Sequence, residues 1–347
     1  MLSRRDFIGT VTLSAFLSAD AGNRAHHGEI AGHGNFRYKV DKYWSKADPK
    51  KYLVNNCHEM VQVPDGRLFL LTDHIKNNIL IFDTEGNVKG SWTLNFKGAH
   101  GLTLHSECDM PVLWICDTRG KVVKTDIEGK ILSELTHPAE LKAYSAKMPY
   151  RPTETAVAPN GDVYVIDGYG SQFILHYDAG GRFIRKFGGK STQPVNKGKF
   201  MQAHGIALDN REKEPLLVCT ARLRNEFHWY TLDGKYVKSV YLPGVYMSRP
   251  VIDGDYLYSG VCFGTYPDDF RGWVKRGYIV ILDKNNKVVS APGAHQPRYT
   301  ADGRMKHLYQ EKPVVDNCHD VCVDKEKNLY ACQWNAGRVY PYKLTRV

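Results

Sequence analysis

Asp178-Ala179-Gly180-Gly181-Arg182 ends one short alternating segment and opens another. The same turn recurs as Asp83-Thr84-Glu85-Gly86-Asn87, Asp126-Ile127-Glu128-Gly129-Lys130, Leu232-Asp233-Gly234-Lys235 and Asp283-Lys284-Asn285-Asn286-Lys287. Glycine or asparagine at one fixed place supplies the left-handed residue that a tight hairpin needs. Those residues are Gly86, Gly129, Gly181, Gly234 and Asn286, so successive turns lie 43, 52, 53 and 52 residues apart. A repeat of that length with about four strands per unit is the mark of a β-propeller blade.

A second turn recurs earlier in the units, as Pro64-Asp65-Gly66, Pro159-Asn160-Gly161 and Asp324-Lys325-Glu326-Lys327-Asn328. Counting units predicts an all-β fold, a six-bladed β-propeller whose first strands begin near residues 58, 100, 154, 204, 249 and 319. The last unit shows three strands, ending with Arg338-Val-Tyr-Pro-Tyr-Lys-Leu344. Phe36-Arg-Tyr-Lys-Val40 is expected to supply its outer strand, closing the ring and hiding edges that would otherwise template aggregation. Longer insertions near 133–150, 188–199 and 290–315 read as loops of a length that often carries function.

Composition agrees with one globular domain over residues 22–347. Of 347 residues, 42% are hydrophobic and 24% charged, which excludes disordered, collagenous and disulfide-dense classes. The charge is 47 − 37 = +10, yet Lys and Arg are spread along the chain with no groove-reading motif, so a nucleic-acid partner is not expected. No run approaches the roughly 18 apolar residues of a membrane span. The partner expected is a small-molecule or peptide substrate, and the oligomeric state stays open.

Ser3-Arg4-Arg5-Asp6-Phe7-Ile8, the uncharged segment to Ala19, and Ala19-Asp20-Ala21 together have the n-region, h-region and small-x-small site of an export signal. The paired arginines fit the twin-arginine type, so residues 1–21 are expected to be removed and the protein to reach the periplasm or the exterior. The eight cysteines could oxidise there. Cys116, Cys219, Cys262, Cys322 and Cys332 sit in apolar runs and read as buried thiols. Cys57 and Cys318 hold equivalent places in the first and last blades, which leaves a disulfide between them open.

Aligning the blades puts His58, His100, Glu154, His204, Ser248 or Arg249, and His319 at the start of the innermost strands. Such strands line the central channel, so four imidazoles and a carboxylate are expected to converge on the axis. Clustered imidazoles without a metal or anion are electrostatically unfavourable. Imidazole nitrogen suits zinc, iron, copper or nickel, and three ligands with an open position is the catalytic pattern. Calcium alone would prefer oxygen, although a separate structural calcium stays open. The second strands return to the same rim with Asp73-His74, Asp167-Gly168-Tyr169, Thr220-Ala221-Arg222 and Trp334-Asn335. This gives a base or hydroxyl donor, a cation and an aromatic wall around a Lewis acid.

These repeats resemble NHL repeats. The stretch from Asp167-Gly-Tyr169-Gly-Ser-Gln-Phe to Gly205-Ile-Ala-Leu is similar to the catalytic propeller of peptidyl-α-hydroxyglycine α-amidating lyases, over about residues 50 to 345. The resemblance implies a zinc held by His100, His204 and His319, a catalytic tyrosine at Tyr169 and a catalytic arginine at Arg222. His58, His74, Glu154 and Trp334 are then expected to face the substrate. Two places depart from the family: Thr72-Asp73-His74 stands where it has an arginine, and Asn317 where it has a methionine. The reading is an exported metal-dependent lyase or hydrolase acting on a small hydroxylated substrate. Its rival is a non-catalytic propeller that binds a protein or polysaccharide, since the fold hosts both.

Overall fold

The five recurring turns adopt the backbone that their sequence demands. Gly86, Gly129, Gly181, Gly234 and Asn286 have φ of 85°, 92°, 80°, 91° and 60°. The aspartate that opens each of four of them accepts the backbone N–H four residues on, at 2.8 Å from Asn87, Lys130 and Arg182 and 2.9 Å from Lys287. In the fourth turn the Thr231 hydroxyl takes this part, accepting from Lys235 N at 3.0 Å. One local hydrogen-bond scheme therefore sets the hairpin between the third and fourth strands of five blades.

The computed structural model describes residues 26–193 and 197–347, and the expected signal segment, residues 1–21, lies outside them. Six antiparallel sheets form the six blades. Their innermost strands are Cys57–Gln62, Ala99–Glu107, Glu154–Val157, Ala203–Asp209, Tyr246–Asp253 and Cys318–Val323. Phe36–Asp41 pairs antiparallel with Tyr342–Arg346, with Tyr38 opposite Arg346 and Asp41 opposite Lys343, so the chain's N-terminal part closes the last blade as expected. Two additions were not legible. Ile30–His33 adds a fifth strand outside the closing one, and Asp269–Trp273 forms an extra hairpin on the fifth blade. No helix among the described residues is long and apolar enough to cross a membrane.

The blades are held to one another by six apolar clusters, each shared between neighbours. This packing explains why Cys57 and Cys318 do not meet. Both are free thiols. Cys57 packs into the cluster between the sixth and first blades, and Cys318 into the one between the fifth and sixth. The body of the sixth blade thus separates them, and the Cys57 thiol donates instead to the Val339 carbonyl at 3.2 Å.

Five of the six innermost strands begin with a break in register. Cys57 faces Thr72 but Glu59 faces Leu71; Ala99 faces Asp117 but Gly101 faces Cys116; Cys318 faces Gln333 but Asp320 faces Cys332. The inserted residue in these three bulges is His58, His100 and His319. His204 lies in the equivalent break between Ala203 and Ile206, and Ser248 in that between Met247 and Pro250. A bulge re-aims a side chain relative to the alternation around it, and here it turns the ring out of the blade toward the axis. The third blade pairs regularly from Glu154 to Val157.

Candidate metal centre

The rings of His100, His204 and His319 form a near-equilateral triangle, with centroids 4.7–4.8 Å apart. His100 Nδ1 lies 2.9 Å from the Thr153 carbonyl and His319 Nδ1 2.9 Å from the His58 carbonyl. A carbonyl only accepts, so both rings carry their proton on Nδ1 and turn an Nε2 lone pair inward. Those two Nε2 atoms are 3.2 Å apart, and His204 Nε2 is 3.1 Å from that of His319. The lone pairs of His100 and His319 repel at this distance unless a cation lies between them, and His204, whose Nδ1 has no partner, can turn either a lone pair or an N–H toward His319.

A proton does not serve. Burial first, then the neighbouring imidazoles and Arg222, holds all three rings well below the ordinary histidine range. A tetrahedral metal bonded to nitrogen at about 2.0–2.1 Å would put its ligand atoms about 3.3 Å apart, which matches the observed spacing. The residues present therefore fit a transition metal.

His58 joins the cluster, with donor atoms of His58, His100 and His319 all within 4.8 Å of one another. Its Nε2 faces Asp73 Oδ2 at 3.5 Å, while its Nδ1 is buried without a hydrogen-bond partner and keeps a lone pair. Burial alone would raise the Asp73 carboxyl, but His58 and the two hydrogen bonds from Asn56 outweigh it and hold it at about 2.

Tyr169 stands over the triangle with its hydroxyl 3.1 Å from His100 Nε2. Burial raises its phenol, and Arg222, within hydrogen-bonding reach, works against that shift. The tyrosine is placed by Asp167, whose carboxylate accepts from Arg151 N and Ser171 N at 2.6 Å each and from the Tyr144 hydroxyl at 2.9 Å. Burial raises the Asp167 carboxyl to about 6. Between them, Gly168 passes so close to the next blade that a Cβ would stand 2.0 Å from the Ala203 carbonyl oxygen and 2.3 Å from Thr153 Oγ1. Gly168→Ala is accordingly expected to cost on the order of 2 kcal/mol or more and to displace Tyr169, read as a lower thermal midpoint with lost activity. Gly90→Ala, whose Cβ would meet only Ile81 Cδ1 at 3.7 Å, should be tolerated.

Arg222 is buried and donates through Nε to the Met247 carbonyl at 3.1 Å and through Nη2 to Ser248 Oγ at 3.0 Å. Its guanidinium lies over the Phe263 ring, 5.6 Å from the centroid. The cavity above the metal centre has a volume of about 370 Å³ and is lined by His58, Asp73, Lys97, His100, Arg151, Tyr169, Gln202, Arg222, Cys262, Phe263, His319 and Trp334, among others.

Of the residues expected to face the substrate, His58 and Trp334 line this cavity, whereas His74 and Glu154 do not. His74 caps its own turn, its Nδ1 accepting from Lys76 N at 3.3 Å. Glu154 begins an unbulged strand, so its side chain drops one layer along the channel, where Oε1 accepts from Thr103 Oγ1 at 2.8 Å and Thr155 N at 2.9 Å. Asn317 braces the wall, donating to the Trp334 carbonyl at 2.9 Å. Lys97, Arg151, Gln202 and Phe263 were not anticipated. One signal was present: Asn56, Gln202 and Asn317 each stand two residues before an axial histidine, a place the repeat reserves for this rim.

No protein-family model matches the chain. A probable peptidyl-alpha-hydroxyglycine alpha-amidating lyase of Caenorhabditis elegans is 30% identical over 136 residues, 38% of this chain and 36% of that protein. Peptidyl-alpha-hydroxyglycine alpha-amidating lyase 1 of Drosophila melanogaster is 22% identical over 280 residues, 74% of this chain and 47% of that protein. The chain resembles the amidating-lyase propeller. It spans less than half the length of these curated relatives. Among solved structures, a streptogramin B lyase aligns with a TM-score of 0.53 at 14% identity, covering 91% of this chain and 98% of that one. A luciferin-regenerating enzyme aligns at 0.51 and 11%, covering 89% and 95%. These two likenesses concern the fold.

Proposed function

We propose that the chain is an exported, metal-dependent lyase of the amidating-lyase type, acting on an α-hydroxy amide such as a peptidyl-α-hydroxyglycine. The observation that carries this reading is the set of inward lone pairs on neutral, buried imidazoles, with a tyrosine hydroxyl and a guanidinium beside them. We assign His100, His204 and His319 as the ligands on the triangle their rings form; His58, whose Nε2 faces Asp73 and whose buried Nδ1 has no partner, is the alternative third ligand beside His100 and His319. Zinc suits three imidazoles and an open position. Export rests on the Arg4-Arg5 segment.

A metal held there would supply Lewis acidity toward the substrate's hydroxyl oxygen. The chain's own groups account for the rest. Cleaving an α-hydroxy amide removes the hydroxyl proton, forms a carbonyl, breaks the C–N bond and returns a proton to the amide nitrogen. Tyr169 Oη is placed to move that proton, and Arg222 to hold a carbonyl or carboxylate while steadying charge on the phenol oxygen. Lys97 and Arg151 at the rim favour an anionic substrate.

The test is turnover. Metal-replete mature protein incubated with a peptidyl-α-hydroxyglycine should release amide and glyoxylate in equal amounts, lose that activity on chelation and regain it with Zn²⁺. Absence of turnover across a panel of α-hydroxy amides, by protein shown to hold stoichiometric metal, would overturn the substrate class.

A further inference from the structure

One layer along the channel from the histidines, Arg249 reaches across the axis from the fifth blade. Its Nε donates to Asp320 Oδ1 at 3.0 Å and its Nη2 to Asp320 Oδ2 at 3.0 Å. Nη1 donates to the Leu102 carbonyl at 2.7 Å and Nη2 to the Met60 carbonyl at 3.2 Å. Glu59 Oε2 lies 3.4 Å from Nη1. Carbonyl and carboxylate oxygens from the sixth, first and second blades thus converge on one guanidinium, and all of these side chains are buried.

That donor set is hard. Two carbonyls and two carboxylates at one point are what a calcium-type ion takes, at about 2.3–2.6 Å, and contain no nitrogen or sulfur for a softer metal. Glu154 stands beside them, fully buried, its carboxyl within hydrogen-bonding reach of that of Glu59. A guanidinium and an ion cannot share the same oxygens. The repeat also makes room for the arginine: Gly205 follows His204 as Glu59 follows His58 and Asp320 follows His319, and a Cβ on Gly205 would lie 2.6 Å from Arg249 Cα.

We propose that Arg249 is a built-in cation that fills an oxygen cage on the propeller axis, tying four blades together in place of a structural calcium ion. The calcium left open by the sequence has its donors, but Arg249 occupies them. Removing the guanidinium leaves Asp320 and Glu59 as buried carboxylates around an opening of the size and chemistry an ion needs. Loss of one partner of such a buried pair is strongly destabilising, and binding of an ion to the folded state alone restores stability.

The experiment compares thermal midpoints of metal-stripped wild type, Arg249→Ala and Arg249→Lys with and without millimolar Ca²⁺. The histidine layer offers imidazole nitrogen, which calcium disfavours, so the readout is separate from the catalytic metal. Wild type should not respond to Ca²⁺. Arg249→Ala should melt lower in chelator and rise by about 5 °C or more in Ca²⁺. Arg249→Lys keeps a cation and should be intermediate and unresponsive. If Arg249→Ala does not fold in chelator, recovery of folded protein on refolding in Ca²⁺ is the expected result. A calcium-dependent midpoint in wild type, an Arg249→Ala variant as stable as wild type in chelator, or one that Ca²⁺ neither stabilises nor helps to refold would overturn the proposal.

Discussion

His319→Ala is expected to remove most of the bound metal, along with all turnover above background, from a propeller that remains folded. His319 Nε2 is the atom that faces both other nitrogens, at 3.2 Å from His100 and 3.1 Å from His204. Disturbing even an outer-shell partner of a ligand typically costs about 10–100-fold in metal affinity, so deleting a ligand should cost at least about 100-fold. His100→Ala and His204→Ala should behave alike, since three protein ligands leave none to spare. The fold should persist because the apolar clusters that join the blades contain no histidine. His58→Ala decides between the two ligand sets: with His204 as third ligand metal should largely stay, whereas its loss would mean that the His58 Nδ1 lone pair is a ligand. The measurement is metal per chain after dialysis, with circular dichroism as the check on folding. Full occupancy in the three ligand variants would remove the assignment, and loss in His58→Ala with retention in His204→Ala would put His58 in place of His204 beside His100 and His319.

The difference between His58 and its three counterparts shows where sequence reasoning stops. Turn chemistry is local, so Gly86 through Asn286 announced the hairpins, their spacing announced the blades, and the missing last strand announced closure by Phe36–Val40. The axial histidines were legible for a related reason, since a repeat position converts directly into a place on the axis. What repetition does not carry is the bulge. A single inserted residue turns His58, His100 and His319 inward, and its absence in the third blade sends Glu154 to the next layer. Asp73 binding His58, and His74 folding back on its own turn, depend on side-chain rotations that no spacing encodes. The cysteines fail for a larger-scale reason. Equivalent positions in adjacent blades lie near one another only if they face the axis, and Cys57 and Cys318 face opposite sides of the sixth blade. Arg249 was visible as an aligned residue, but its partners come from three other blades and meet it only in the closed ring.

Tyr169→Phe is expected to lower kcat on the order of 100-fold or more with metal content unchanged, the usual size of a general acid–base contribution. The substitution keeps the ring, which packs edge-on against His100 with centroids 5.1 Å apart, and deletes only the hydroxyl. That hydroxyl is 3.1 Å from His100 Nε2, so its loss leaves the lone pair free for a metal and gives no reason for metal affinity to fall. Burial disfavours the phenolate and Arg222 favours it, so the proton on Tyr169 is held by a balance that a nearby cation can tip. The Tyr169 reading therefore also predicts that Arg222→Lys, which keeps the charge but loses the planar fork to Met247 and Ser248, moves the rising limb of the pH–kcat profile to higher pH, because the phenolate loses support, as well as raising KM. A merely structural arginine would change stability without moving that limb. Full turnover by Tyr169→Phe on the active substrate would show that the proton passes through another group, even with His100, His204 and His319 holding the metal as assigned.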